Sequence, residues 1–258
     1  MRYSIIGTGN TAWFFATKLY AAGHKCTGVY GRNRRKAEEL ANQVSTQPYD
    51  LENGVSHPTD VCIIAVSDRA ITEITQKITL KSTIVLHTAG AADISLLSQF
   101  ENGHGVIWPV YSIVKDNLPS TRSIPTVWEA SNKIAADCIK TITDSYTDIS
   151  FEADSVKRSW LHLTAVLSNN FTNHLFAIAD KLCNEQGVPF SLLLPIIEQS
   201  ISRLHHSSAH SQQTGPAKRN DTVVLEHQMK MLQYHPEWQE LYNSITASIQ
   251  KMYNTDKK

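Results

Sequence analysis

From Tyr3 to about Trp108, short runs of almost wholly apolar residues alternate with longer segments of helical periodicity. A parallel strand is buried on both faces and so reads as a continuous apolar run, whereas the helix that crosses back over the sheet is apolar on one side only. The pattern predicts a parallel sheet covered by crossover helices. Strands are expected over residues 3–6, 26–30, 61–66, 83–87 and 105–108, and helices over 11–22, 34–43, 69–78 and 94–100. Two further strands, near 126–129 and 149–152, flank a helix at 132–144 and are placed to extend the sheet.

The pattern changes near Ala153. Residues 155–185 keep helical periodicity with no internal Gly or Pro, which reads as one long helix stopped by Gly187 and Pro189. A second helix opens near Phe190 and runs toward His205, and the polar stretch 207–220 interrupts it. Asp221 is placed to cap a third helix that ends before Pro236, and 237–252 supplies a fourth. The expected fold class is α/β, a Rossmann-type, mostly parallel sheet over residues 1–153 followed by an all-α domain over 154–258. A chain of 258 residues is long enough for two such cores. A thirty-residue helix spans about 45 Å, more than a hundred-residue domain easily buries alone. Leu161, Val166, Leu167, Phe171, Leu175 and Ile178 spread its apolar surface beyond a single stripe. A homodimer held by the helical domain is therefore expected.

Charge narrows the functional classes. Lys+Arg and Asp+Glu are equal at 24 each, so the chain lacks the surplus of cations that nucleic-acid binding requires, and no nucleic-acid partner is expected. The longest apolar runs fall well short of the roughly 18–20 residues that cross a bilayer, and no membrane partner is expected either. The chain enters a strand at Tyr3 with no basic and apolar leader before it, so export is not expected. Cys26, Cys62, Cys138 and Cys183 are far apart and form no C-x-x-C pair, which fits small buried residues in a reducing cytoplasm.

The run Gly7-Thr8-Gly9-Asn10-Thr11-Ala12 follows a predicted strand and opens a predicted helix, the setting in which a G-x-G-x-x-G/A match carries meaning. Gly7 permits the tight turn, Gly9 lets a pyrophosphate approach the backbone, and Ala12 lets helix and strand pack closely. The helix start presents unpaired N–H groups to the phosphates. At the end of the second strand, where an NAD site places an acid against the ribose 2′-hydroxyl, Val29-Tyr30-Gly31 runs into Arg32-Asn33-Arg34-Arg35-Lys36. Cations there favour NADP(H). Arg32 is the first candidate for the 2′-phosphate, Asn33, Arg34 and Arg35 are helpers, and Lys36 is assigned to a solvated helix start.

Together with Trp108-Pro109-Val110-Tyr111-Ser112, Ser168-Asn169-Asn170-Phe171-Thr172-Asn173-His174 and Thr214-Gly215-Pro216-Ala217-Lys218-Arg219-Asn220-Asp221, these residues resemble a bacterial family of NADP oxidoreductases over nearly the whole chain. That family pairs a Rossmann domain with a helical domain of unknown function, within the pyrroline-5-carboxylate reductase and 3-hydroxyacid dehydrogenase superfamily. The resemblance implies a nicotinamide lying across the strand ends, between the turns Ala65-Val66-Ser67-Asp68 and His87-Thr88-Ala89-Gly90. Val66, Ser67, Thr88 and Ala89 are accordingly candidate cofactor contacts, with helix capping the alternative for Ser67 and Thr88 and the expected role of Asp68. It also implies a helix buried against a second subunit.

The hydroxyacid dehydrogenases of that superfamily carry a catalytic Lys four residues before an Asn on the long helix. Here the corresponding positions hold Ala165 or Val166, so that acid–base mechanism does not carry over. Asn170 and His174, spaced i,i+4 and so on one face, are the candidate catalytic pair, with His162 two turns earlier. Imidazole titrates near neutral pH and suits protonation of an alkoxide or imine nitrogen; the alternative is a hydrogen-bonded interior or dimer-contact histidine. His205, His206 and His210 have no acid or cysteine nearby to complete a metal shell, and no metal is expected. The 215–221 run is a candidate anion site or a capped connector, and Trp13, Phe14 and Phe15 are expected in the core. The function expected is NADP(H)-dependent hydride transfer to or from a small C=O or C=N substrate in an interdomain cleft. The alternative is a non-catalytic NADP(H)-binding sensor or regulatory protein.

Overall fold

A computed structural model describes residues 1–253; residues 254–258, the end of the expected helical domain, lie outside them. Eight strands form one sheet in the order β3-β2-β1-β4-β5-β6-β7-β8. They are β1 (Arg2–Ile6), β2 (Lys25–Gly31), β3 (Pro48–Asp50), β4 (Val61–Ile64), β5 (Ile84–His87), β6 (His104–Pro109), β7 (Thr126–Ala130) and β8 (Ser150–Glu152). All pairings are parallel except β6 with β7. The Rossmann-type sheet expected from the apolar runs is therefore present.

Strand alternation sends neighbouring side chains to opposite faces, and the core divides accordingly. Ile5, Ile63 and Leu86 join Phe14, Phe15, Leu40 and Ile139 on one face. Ile6, Ile64 and Val85 join Ile71, Ile74 and Leu97 on the other. Each such side chain contributes about 1.5–3 kcal/mol on burial. The first face is covered by α1 (Asn10–Ala21), α2 (Arg34–Gln43) and α4 (Lys133–Asp144), and the second by the short α3 (Ile71–Thr75) and 3₁₀ turns. Phe14 and Phe15 are buried as expected, while Trp13 packs part-buried at the edge of the core.

Five local expectations are corrected. The sheet gains β3, which pattern reading passes over because it is three residues long and opens with Pro48. The helix expected over 69–78 shrinks to a 3₁₀ turn at Asp68–Ala70 followed by α3, and that over 94–100 to the 3₁₀ turn Ile94–Leu97. Both lie on a face closed by short connections, where a single turn already buries Ile71, Ile74 and Leu97. The polar stretch 207–220 contains α8 (Ala209–Gln212) and α9 (Pro216–Arg219). The long helix is helical throughout but widens to a π segment at Val166–Phe171, between α5 (Ser155–Ala165) and α6 (Thr172–Glu185).

The chain divides into two compact units, Met1–Asn169 and the residues from Asn170 onward. The second is all-helical, with α7 (Leu194–Arg203), α10 (Thr222–Met231) and α11 (Pro236–Tyr253) beside α6, α8 and α9. Asp221 caps α10 as expected, accepting from the Val224 amide at 3.3 Å.

Helix α5 belongs to the first unit, and a charge fixes it there. Its Arg158 is fully buried and pairs with Glu129 of β7, whose side chain is 17% exposed. Arg158 also donates to the carbonyl of Ala92 and to Ser155 Oγ, the latter at 3.1 Å. Ser155 Oγ in turn donates to Glu129 Oε2 at 2.8 Å and accepts from the Ile94 amide at 3.2 Å. Removing one partner of a buried pair strands the other charge, which costs about 3–5 kcal/mol, whereas replacing both by apolar groups is often near neutral. Glu129→Ala is therefore expected to lose stability of that order in urea unfolding, and Glu129→Leu combined with Arg158→Met to regain most of it. A cost under about 1 kcal/mol for Glu129→Ala, the range of an exposed pair, would show that α5 is held by apolar packing instead.

Candidate functional site

The strand order reverses between β1 and β4, and their carboxyl ends bound a crevice of the kind in which open parallel sheets hold ligands. Gly7 turns the chain there. Its φ is +121°, and a Cβ at this position would stand 2.1 Å from the Ala65 carbonyl oxygen, so no other residue fits. Its amide donates to Tyr30 O at 2.8 Å, tying the turn to β2. Gly9 differs: its φ is ordinary at −84°, and a Cβ would meet nothing within 4 Å. A side chain at Gly9 is compatible with the backbone and would project into open space. No side chain caps α1 and no acid lies in its first turn, which leaves its amides available to an anion.

A cavity of about 370 Å³ opens over this turn, lined by residues 7–11, 30–33, Lys36, Leu51, 65–67 and Ile74. Gly7, Thr8, Gly9, Asn10, Thr11, Arg32, Asn33, Val66 and Ser67 are thus gathered in one cradle. Ala12 is fully buried beneath it. Gly31 at the end of β2 has a second reason for its size, since a Cβ would come 2.9 Å from Thr8 Cγ2. Asn33 caps α2, its Oδ1 accepting from the Lys36 amide at 3.1 Å, which leaves its Nδ2 as a donor. Arg34 and Arg35 reach along α2 to Glu38 and Glu39 at 2.8 and 3.2 Å, and neither lines the cradle. Arg32 has no ion-pair partner among the described residues. Lys36, assigned from sequence to solvent, joins Arg32 in the lining. The floor beside them is Tyr30, whose hydroxyl hydrogen-bonds His57 Nδ1 at 2.9 Å and whose ring stacks on Tyr49. Burial pushes the Tyr30 hydroxyl up to about 12, so it stays neutral. The donor set suits a dinucleotide phosphate: open space over Gly9, uncapped helix amides and unpaired cations where a 2′-phosphate would lie.

A second cavity, of about 290 Å³, shares Asn10, Thr11 and Val66 with the cradle and continues over the carboxyl ends of β4 and β5. Thr88, Ala89 and Gly90 form one wall, Trp108 and Tyr111 another, and His162 of α5 closes it. The Thr88 amide donates to Ile64 O at 3.2 Å. Ser67 makes no side-chain cap bond to the turn that follows it, although it occupies the capping position. His87 beneath the turn is fully buried, and its Nδ1 accepts from the Ala89 amide at 3.2 Å. Burial, reinforced by the nearby charge of Arg158, pushes the His87 imidazole down to about 4, so near neutral pH it is uncharged and Nδ1 remains an acceptor.

His162 sits one turn beyond Arg158, its ring 5.4 Å from that of Trp108 and tilted at 49°. Gly90 makes the room: a Cβ there would stand 2.7 Å from His162 Cδ2 and 2.6 Å from Trp108 Cε2. Asn170 and His174 belong to the helical unit, Asn170 within the π segment and His174 on α6, and both are exposed. Elsewhere in that unit Lys218 donates to Gln213 O at 2.7 Å and lies over the Tyr253 ring, and His210 stacks on Tyr253 at 4.6 Å. Among the described residues no three His, Cys, Asp or Glu side chains gather as a metal group, and no helix is long and apolar enough to cross a membrane. Arg158 escaped notice in the sequence, and Gly90 appeared there only as the end of a turn. The one signal for Arg158 is the lone Glu129 at the end of the strand expected near 126–129, a charge that needs a partner if buried.

Comparison with known proteins places these features in a family. Residues 2–90 match the model described as NADP oxidoreductase coenzyme F420-dependent, and residues 124–249 match a domain of unknown function, DUF2520. No curated protein matches the chain significantly. Among solved structures, a Bacteroides fragilis protein provisionally named an NADP oxidoreductase is 32% identical, with 97% of this chain and 98% of that chain covered and a TM-score of 0.90. A Thermotoga maritima protein is 21% identical over 99% of this chain and 100% of its own, with a TM-score of 0.72. A reductive aminase from Aspergillus terreus, solved with NADPH and ethyl levulinate, shares the fold at 15% identity, 99% and 94% coverage and a TM-score of 0.72. With its nucleotide cradle in the first unit and the DUF2520 match reaching into the second, the chain belongs to the NADP oxidoreductase family.

Proposed function

We propose that the protein is an NADPH-dependent reductase acting on a small carbonyl or imine compound. The observation that carries this reading is the continuity of the two cavities: a phosphate cradle passes, through Asn10, Thr11 and Val66, into a small polar chamber closed by a histidine. A protein that only sensed the dinucleotide would have no use for the chamber. When bound, NADPH supplies the hydride that reduces the C=O or C=N carbon. The amides at the start of α1 and the bare backbone at Gly9 hold the pyrophosphate. Arg32, with Lys36 and the Asn33 amide group, holds the 2′-phosphate, and Val66, Ser67, Thr88 and Ala89 bound the nicotinamide end. The reductive aminase relative, with NADPH and a keto ester in its structure, is in keeping with such a substrate. Four unpaired cysteines accord with a cytoplasmic setting.

We infer also that the helical unit pairs with a second copy. From Asn170 to Tyr253 only Ala217 and Leu225 are buried, while Phe171, Leu192, Ile196, Ile201, Leu204 and Met231 are each more than half exposed. A helical unit with so small a core of its own needs another surface to cover it.

NADPH oxidation followed optically against a panel of small ketones, keto esters and cyclic imines tests the reaction; no turnover with any member would refute it. A charge-assisted contact is worth about 1.5–3 kcal/mol, so Arg32→Ala is expected to weaken NADPH binding by about 10- to 150-fold and leave NADH within about threefold. Equal losses for both would remove Arg32 from the 2′-phosphate. Gly9→Val, whose Cβ would meet no protein atom within 4 Å, is expected to lower NADPH affinity by on the order of 100-fold in calorimetry with an unchanged melting curve. In sedimentation at micromolar concentration the species expected has twice the chain mass, and a stable monomer would dispose of the dimer.

A further inference from the structure

We propose that His162, rather than a residue of the helical unit, gives the proton that completes reduction; this rests on the reductase reading above. Among the side chains that line the second cavity, Asp68, Tyr111 and His162 are of titratable types. Of these three types only imidazole moves between its acid and base forms close to neutral pH, as a group that must both give a proton and recover it requires. His162 is built into position. Trp108 lies against its ring, Gly90 leaves the space it occupies, and Arg158, one turn earlier on α5, fixes the helix to β7. Cδ2, the atom set against Gly90, is the one bonded to Nε2, and His162 lines the cavity beside that turn. Neither ring nitrogen has a hydrogen-bond partner among the described residues, so the proton is not committed elsewhere.

In this step His162 in its protonated form gives the Nε2 proton to the oxygen or nitrogen of the acceptor as hydride from NADPH reaches its carbon. The C=O or C=N π bond breaks, one C–H and one O–H or N–H bond form, the acceptor gains two electrons and NADP⁺ is left. The neutral imidazole then recovers its proton from water. The position differs from that of the dehydrogenase lysine, because it lies earlier on the helix, where Arg158 rather than the π segment sets the register.

Two readouts test this. In ¹⁵N imidazole spectra of the otherwise unliganded dimer or monomer, the His162 signals, assigned by their loss in His162→Gln, are expected to shift when NADP⁺ is added; unmoved signals would overturn the proposal. In single-turnover reduction of whichever panel member reacts, His162→Gln is expected to slow the reaction by on the order of 100-fold while NADPH affinity stays within about twofold. His174→Gln is expected to retain the rate. A fast His162→Gln protein, or a loss found in His174→Gln alone, would overturn it. Should His162→Gln fail to fold, Gly90→Ala serves, since its methyl displaces the ring without removing it, and an undiminished rate there would count against the proposal. A wild-type protein that reduces nothing would instead refute the reductase reading, a different result from a fast variant.

Discussion

The guanidinium of Arg158, fully buried against Glu129, is the interaction on which the arrangement of the chamber depends. A charge taken out of water is costly unless partners are supplied, and here the Glu129 carboxylate, the Ala92 carbonyl and Ser155 Oγ take the two terminal nitrogens, leaving only Nε without one. The geometry has few solutions. It sets the azimuth of α5 as well as its height over β7, and so decides which residue of the next turn faces the carboxyl end of β5. That residue is His162. The same charge helps to keep His87 neutral, and neutral His87 accepts the Ala89 amide that shapes the turn opposite. One buried cation thus acts on both walls of the chamber, through packing on one side and electrostatics on the other.

The nucleotide end depends on a steric constraint. Gly7 passes so close to Ala65 that β1 and β4 fit together only if that position lacks a side chain, whereas Gly9 has room for one. The first glycine is required by the fold, and the second is not. The fingerprint treats them alike, and only geometry separates structural from functional need. A similar separation runs through the cations that follow β2. Arg34 and Arg35 are absorbed by carboxylates one turn along α2, and Arg32 and Lys36 are left to face the cradle.

Most of the sheet was legible because parallel strands buried on both faces leave uninterrupted apolar runs, and the strands from β4 to β6 read almost directly. The glycine turn was legible for a related reason, as its residues are contiguous in the chain. What was not legible depends on partners distant in sequence. Edge strand β3 has too few residues for a pattern and begins with proline. Lys36 is exposed as its sequence suggests, but nothing local shows that the cradle curves toward α2 and takes it into the lining. The sequence sets Asn170 and His174 ahead of His162, because periodicity orders residues around a helix but does not say which part of the helix meets the sheet. The π segment at Val166–Phe171 has no Gly or Pro to announce it.

The two ends of the sheet carry a consequence of their own. An open sheet of eight strands has two rims whose unpaired amides and carbonyls can template the backbone of another molecule. Here the rims are β3 and β8, each three residues long, and β3 begins with an imino acid that has no amide hydrogen to offer. Each rim is too short to seed a cross-β ladder. Strand addition between copies is thereby disfavoured at both rims.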